Sequence, residues 1–277
     1  MDLPAWVWGA IVGTLGGGLG GVVGWLLQRA GFRAGRWFPV VGIALGLAFA
    51  QSAPFRGIIN QLSWSEARTE NTLVEIAPEV YSYLKVAFPD DFQQIVREST
   101  NVIRSAPGRL GVEQRSAEIM QAMRRKYAPF IRFAPDLELS KLMMEQMALY
   151  QQILRDDPSV CAQVAINGPM SVVGTGFTQK YAAAFLPQVL ALFRSARAGI
   201  DTPQVRREPT DADWEVIGTA MLAAGATDSD IQAITELNAG NANTCPALLL
   251  LLRAINETET EGAGVVRASY LAETAGG

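Results

Sequence analysis

Apolar positions along this chain follow two different rules. From Leu3 to Leu27 they are almost continuous: none of these 25 residues is charged, and eight of them are glycine. Beyond about residue 56 they recur at alternating three- and four-residue intervals, the period of one face of an α-helix. The first rule predicts segments dissolved in lipid. The second predicts an all-α fold with a hydrophobic interior.

A helix of 25 residues rises roughly 37 Å, more than the hydrocarbon core of a bilayer. Within it Gly9, Gly13, Gly17 and Gly21 repeat every four residues, as do Gly16, Gly20 and Gly24. At about 100° per residue, Gly9, Gly13, Gly16, Gly20 and Gly24 fall on one narrow face, with Gly17 and Gly21 beside it. Val7, Ile11, Leu15, Val22 and Leu26 fall opposite. In water each glycine would cost such a helix about 1 kcal/mol relative to alanine. In lipid the smooth face instead admits a neighbouring backbone at close range.

A second apolar run, Trp37 to Ala50, reaches the short limit of a span only if it extends to Ala53, and Gly42, Gly46 and Ala50 are again four apart. The pattern predicts a two-helix transmembrane hairpin over residues 1–54, with spans at about 3–27 and 37–53, followed by a helical-bundle domain over residues 55–277. Arg29, Arg33 and Arg36 in the linker place it on the cytoplasmic side. The large domain is then expected on the periplasmic side of a bacterial inner membrane. A competing reading takes the basic linker, the second apolar run and Ala48-Phe49-Ala50 as a cleaved signal, which exports the same domain.

Helices are expected over 56–68, 71–87, 89–105, 112–133, 135–155, 158–167, 177–198, 211–224, 228–238, 244–258 and 263–274. Pro78, Pro129 and Pro187 fall inside three of these and predict a kink or break. Thr210 with Asp213, and Thr227 with Asp230, have capping-box spacing. Gly199 and Gly225 stand where C-terminal stops belong. Leu142, Met143, Gln146, Met147, Tyr150, Ile153 and Leu154 form a stripe that only Gln146 interrupts, and Ala182, Phe185, Leu186, Val189, Leu190 and Phe193 form another. Leu248 to Leu252 is a run of five leucines, apolar on every side and so expected at the centre of the bundle.

Charge and composition narrow the chemistry. The net charge is −4 and no sustained basic stripe is present, so nucleic acid is not an expected partner. Histidine is absent, which removes Ser-His-Asp and Cys-His nucleophilic systems, histidine bases and histidine metal sites together. The two cysteines, Cys161 and Cys245, make no CxxC motif, and in an exported domain they are expected to form one disulfide. The alternative is a pair of buried thiols. No cofactor or metal is predicted.

The remaining constellations have structural as well as functional readings. Met120 with Met123, and Met144 with Met147, suggest soft copper ligands, but methionine commonly fills irregular helical cores. Asp90-Asp91, Asp156-Asp157 and the Glu75/Glu79 pair offer carboxylates for glycan cleavage, but both aspartate pairs stand beside prolines at helix ends, where aspartates cap. Arg124, Arg125, Lys126 and Arg132, close to Tyr127, Phe130 and Phe133, are candidate contacts for lipid headgroups or a solvated helix face. The glycine-rich segment Asn167 to Gly176 lacks the lysine of a phosphate loop.

Together these features predict a membrane-anchored accessory or assembly protein without catalytic machinery. Its glycine face would pack against the helices of another membrane protein or of a second copy, in contact with membrane lipid, while its helical domain binds an envelope protein. The alternatives are a carboxylate-dependent cell-envelope glycan hydrolase, resting on Glu75, Glu79, Asp90 and Asp156, and a helical carrier with a lipid or small molecule in its interior.

Overall fold

The computed structural model describes residues 64–105 and 108–276. The two apolar segments, with Gly9, Gly13, Gly16, Gly17, Gly20, Gly21, Gly24, Gly42 and Gly46, lie outside the described residues. Among the described residues all regular structure is helical, and no helix is long and apolar enough to cross a membrane.

In chain order the helices are α1 (Glu66–Ile76), α2 (Pro78–Ala87), α3 (Pro89–Ser105), α4 (Gly108–Ile131), α5 (Asp136–Asp156), α6 (Pro158–Asn167), a 3-10 turn (Pro169–Val172), α7 (Phe177–Lys180), α8 (Ala182–Asp201), α9 (Asp211–Ala223), α10 (Asp228–Glu236), α11 (Thr244–Glu257) and α12 (Glu261–Gly276). The expected period therefore survives in three dimensions, with four informative departures, the first being that α1 runs unbroken across the gap expected at residues 69–70.

The stretch expected as one helix over 71–87 is broken where Pro78 begins α2. Proline drives the residue before it out of the α region, and Ala77 sits at φ −141° and ψ 73°. The helix expected over 177–198 is interrupted at Tyr181, at φ −109° and ψ 14°, so that α7 is a single turn and α8 starts afresh. Pro187 then lies inside α8, as Pro129 lies inside α4.

The fourth departure concerns Gly199, expected to stop α8. The helix runs on to Asp201, and a Cβ at Gly199 would fall on the backbone carbonyl of Phe130. The glycine thus permits a close crossing of α8 over α4. Gly225 does end its helix, in the positive-φ conformation at 93°.

Both capping boxes form. The Thr210 and Thr227 backbone N–H groups each donate at 2.8 Å to the carboxylates of Asp213 and Asp230, and the Asp230 N–H donates back to Thr227 Oγ1 at 3.3 Å. Each box satisfies N–H groups that a helix start leaves without intrahelical acceptors.

The described residues fall into two compact units. The smaller comprises residues 64–71 and 100–105. Within it the Trp64 indole N–H donates to Thr69 Oγ1 at 2.8 Å, Thr69 Oγ1 meets Thr100 Oγ1 at 2.7 Å, and the Arg104 Nε–H donates to the Trp64 carbonyl at 2.8 Å. Arg68 lies over the Trp64 ring, 4.2 Å from its centroid.

The larger unit, residues 72–99 and 108–276, is the helical bundle. Helix α8 packs on α5, α4 and α2, and α12 packs on α4, α5 and α9. The leucine-rich α11 touches α5, α6, α9, α10 and α12, which places it centrally as its all-round apolarity predicts. Leu248, Leu251, Leu252, Ala254 and Ile255 of α11 are buried. An aromatic knot closes the α2–α4–α8 end: Phe88 and Tyr127 lie 4.3 Å apart by ring centroid, and Phe193 stands within 6.3 Å of both.

Cys161 of α6 and Cys245 of α11 are bonded, with their Cα atoms 5.9 Å apart across a sequence separation of 84. The bridge ties the start of the central helix to the wall of the cavity described next.

Candidate functional site

The stripe Leu142, Met143, Gln146, Tyr150, Ile153 on α5 is buried as its spacing predicts. Gln146 is its polar interruption, and the structure shows why that position carries an amide. It faces a partly open cavity of about 260 Å³ lined by α4, α5, α6, α8 and α12. The polar walls are Arg124 from α4, Gln146 and Tyr150 from α5, and Gln188 from α8. The apolar walls include Leu142, Phe185, Leu192 and Leu271. Gly168 and Pro169 close one edge, and Glu273 and Thr274 of α12 stand at another.

Arg124 is 6% exposed. Its Nε is buried and has no hydrogen-bond partner, and among the described residues no carboxylate pairs with it. Burial lowers its pKa, which states the cost of holding a cation there. A guanidinium keeps its proton in proteins, so the charge remains. The nearest phenol supplies no counter-charge, because burial pushes the Tyr150 pKa upward and keeps its hydroxyl protonated. Gln146 Nε2 donates to the Tyr150 hydroxyl at 3.0 Å, fixing both groups against the cavity. The Gln188 side chain is also buried, and among the described residues it makes no hydrogen bond. Glu273 is exposed, and its carboxylate accepts from Ser269 Oγ at 2.9 Å.

Of the basic residues expected to act together, Arg125 and Arg132 line one surface pocket with Phe133, while Arg124 is turned into the bundle. Arg124 points inward, Arg125 is exposed, Lys126 pairs with Asp91 at 2.5 Å and Arg132 pairs with Glu208 at 2.5 Å. Successive helical residues differ by about 100° in direction, which sends three consecutive cations to three surroundings. Asp91 also accepts from the Tyr127 hydroxyl, and burial together with that bond raises the tyrosine's pKa.

The other candidates are distributed as structural residues. Asp157 caps α6 by accepting from Ser159 N at 3.0 Å and Val160 N at 3.1 Å, and Asp156 pairs with Lys180 at 3.2 Å. Glu75 and Glu79 are exposed on α1 and α2. Met123 is buried, Met120 and Met147 pack against the core, and Met144 is exposed. Among the described residues no cluster of three His, Cys, Asp or Glu side chains is placed to hold a metal. The Asn167–Gly176 segment turns on Gly168, Gly174 and Gly176, all at positive φ, and contributes only its first turn to the cavity edge.

The cavity can therefore bind and orient a small molecule with an anionic end; it presents no thiol, no carboxylate pair and no imidazole to react with one. Comparison with known protein families, with curated proteins and with solved structures finds no match for this chain.

Proposed function

We propose that the chain is a membrane-tethered, non-catalytic binding module whose helical bundle takes a small molecule into the cavity at Arg124. The observation that carries this reading is an arginine withdrawn into the bundle beside an open volume, its Nε buried without a partner and, among the described residues, no acid paired with it. An unpaired buried charge costs several kcal/mol, and such a residue is retained where something supplied from outside completes it.

The tether rests on the sequence: two apolar segments with small faces suit packing against partner helices or a second copy in lipid. The arginine-rich linker and the Cys161–Cys245 bond support an oxidising, outer-face position for the bundle, on a bacterial inner membrane. Glycan hydrolysis is disfavoured because Asp156 is held in an ion pair with Lys180, the neighbouring Asp157 and Asp91 serve as a cap and an ion-pair partner, and Glu75 and Glu79 are exposed on separate helices.

Native mass spectrometry on protein extracted from membranes in mild detergent tests the reading. The wild type should carry a small-molecule adduct that Ala165→Phe, a change that fills the cavity, abolishes. Bare protein in both samples would argue against a ligand-binding role. Cross-linking in the same membranes reports whether the glycine faces meet a partner helix.

A further inference from the structure

We infer that the Arg124 cavity selects a small amphiphilic carboxylate: one negative charge at the guanidinium, a short apolar body against Leu142, Leu192, Phe185 and Leu271. This assignment rests on the binding-module reading and deepens it.

Charge sets the head group. Arg124 is the one cation of the lining and Glu273, at its edge, the one carboxylate; the remaining polar walls are neutral, including the amides of Gln146 and Gln188 and the Tyr150 hydroxyl. Glu273 is exposed and accepts from Ser269, whereas Arg124 Nε is buried without a partner, so a single negative charge at the guanidinium neutralises the buried cation, while a phosphate dianion would leave an excess negative charge there. The guanidinium fork matches a planar carboxylate, offering two parallel N–H donors. Gln188, buried and without a hydrogen bond among the described residues, is available as a further donor to an oxygen of the same ligand.

Volume and lining set the body. About 260 Å³ falls just under the roughly 300–1,000 Å³ of sites that take drug-sized ligands, so a compact molecule is selected. Leu142, Phe185, Leu192 and Leu271 supply the apolar part of a mixed lining, room for one short hydrocarbon body. Glu273 stands exposed near the entrance and disfavours a second anionic substituent on that side.

The test uses the full chain in detergent and four probes: hexanoate, hexanamide, hexylammonium and inorganic phosphate, each followed by calorimetry and by thermal shift. Hexanoate should bind and raise the melting temperature, and the three others should do neither. Arg124→Met should weaken hexanoate at least ~30-fold, and Arg124→Lys, which keeps the charge but loses the fork, about tenfold. Without ligand, Arg124→Met should melt at or above the wild-type temperature, because a structural arginine would lower it when removed.

Equal binding of hexanamide would overturn the carboxylate assignment and leave the binding module standing. Preference for phosphate would overturn the amphiphile. Failure of hexanoate to bind would overturn the assignment outright, while the native mass spectrum decides the module independently. A ligand-free Arg124→Met protein that melts below wild type would make Arg124 a structural residue and overturn the inference.

Discussion

Arg267 and Arg124 are both withdrawn from solvent, at 8% and 6% exposure, yet their guanidinium groups meet different surroundings. Arg267, on α12, donates to the carbonyls of Ile255 at 3.0 Å and Asn256 at 2.9 Å, the last turn of the central helix α11. Those carbonyls lack intrahelical partners and sit at the negative end of the helix dipole, so a buried cation there satisfies a need already present in the fold. Each arginine lines a cavity and each has a buried Nε without a partner, but Arg124, on α4, has no helix-end carbonyl to donate to among the described residues. Burial lowers the pKa of both. The comparison teaches that burial of a charge does not by itself mark a functional site; what distinguishes Arg124 is that, among the described residues, its guanidinium makes no hydrogen bond or ion pair, whereas that of Arg267 makes two hydrogen bonds.

The largest effect should come from the disulfide, which holds α11 at its start as Arg267 holds it at its end. Replacing both Cys161 and Cys245 by alanine should cost about 4 kcal/mol in the chain-entropy model, read by urea denaturation. Because Cys161 lies on α6, which also walls the cavity, the same variant should bind hexanoate more weakly. Unchanged binding would show that the two ends of the bundle are mechanically independent.

Next, Arg267→Met should destabilise by about 3 kcal/mol, since it removes two charge-assisted hydrogen bonds and leaves buried carbonyls unpaired. Arg124→Met should do the reverse, stabilising the ligand-free protein by about 1–2 kcal/mol. Chemical denaturation of the two variants side by side is the direct test of the contrast. If both destabilise equally, the two arginines are structurally equivalent and the comparison fails.

The smallest effect concerns a third arginine, Arg207, which is exposed while its partner is buried. Arg207 pairs with Asp213, and its hydrogen bond, with those from Thr210, holds the Asp213 carboxyl well below its usual range. Unfolding returns that carboxyl to an ordinary value of about 3.9. The stabilisation is therefore present at neutral pH and is lost as pH falls below about 4 toward the lower native value. Asp213→Asn should flatten this part of the acid-denaturation curve, and a melting series across that window measures it. Gly262 sharpens the point: a Cβ there would strike the Asp213 carboxylate, so Gly262→Ala should disturb the same pair.

Much of the bundle was legible in the chain. The 3.6-residue period of α5 and α8, the capping boxes of α9 and α10, the proline at the start of α2 and α3, and the central place of Leu248–Leu252 all follow from local chemistry. The cavity was not. Gln146 carried a signal, as the one polar residue in an apolar stripe. Arg124 carried a misleading one, because beside Arg125 and Lys126 it reads as part of a basic surface. Gln188, next to Pro187, offered none.

By itself the sequence determined the helical class, most helix limits and the chemistries that an absence of histidine removes, while it left its two cysteines open between a bridge and a pair of thiols. These depend on periodicity, on backbone preferences and on residue inventory, all of which act within a few residues or on the chain as a whole. Tertiary structure decided that Gly199 is a crossing point, that the cations of α4 part company, and that Arg124, Gln146, Tyr150 and Gln188 share one cavity. Those outcomes turn on which helix faces meet. Inter-helix packing sets that, and no local pattern encodes it.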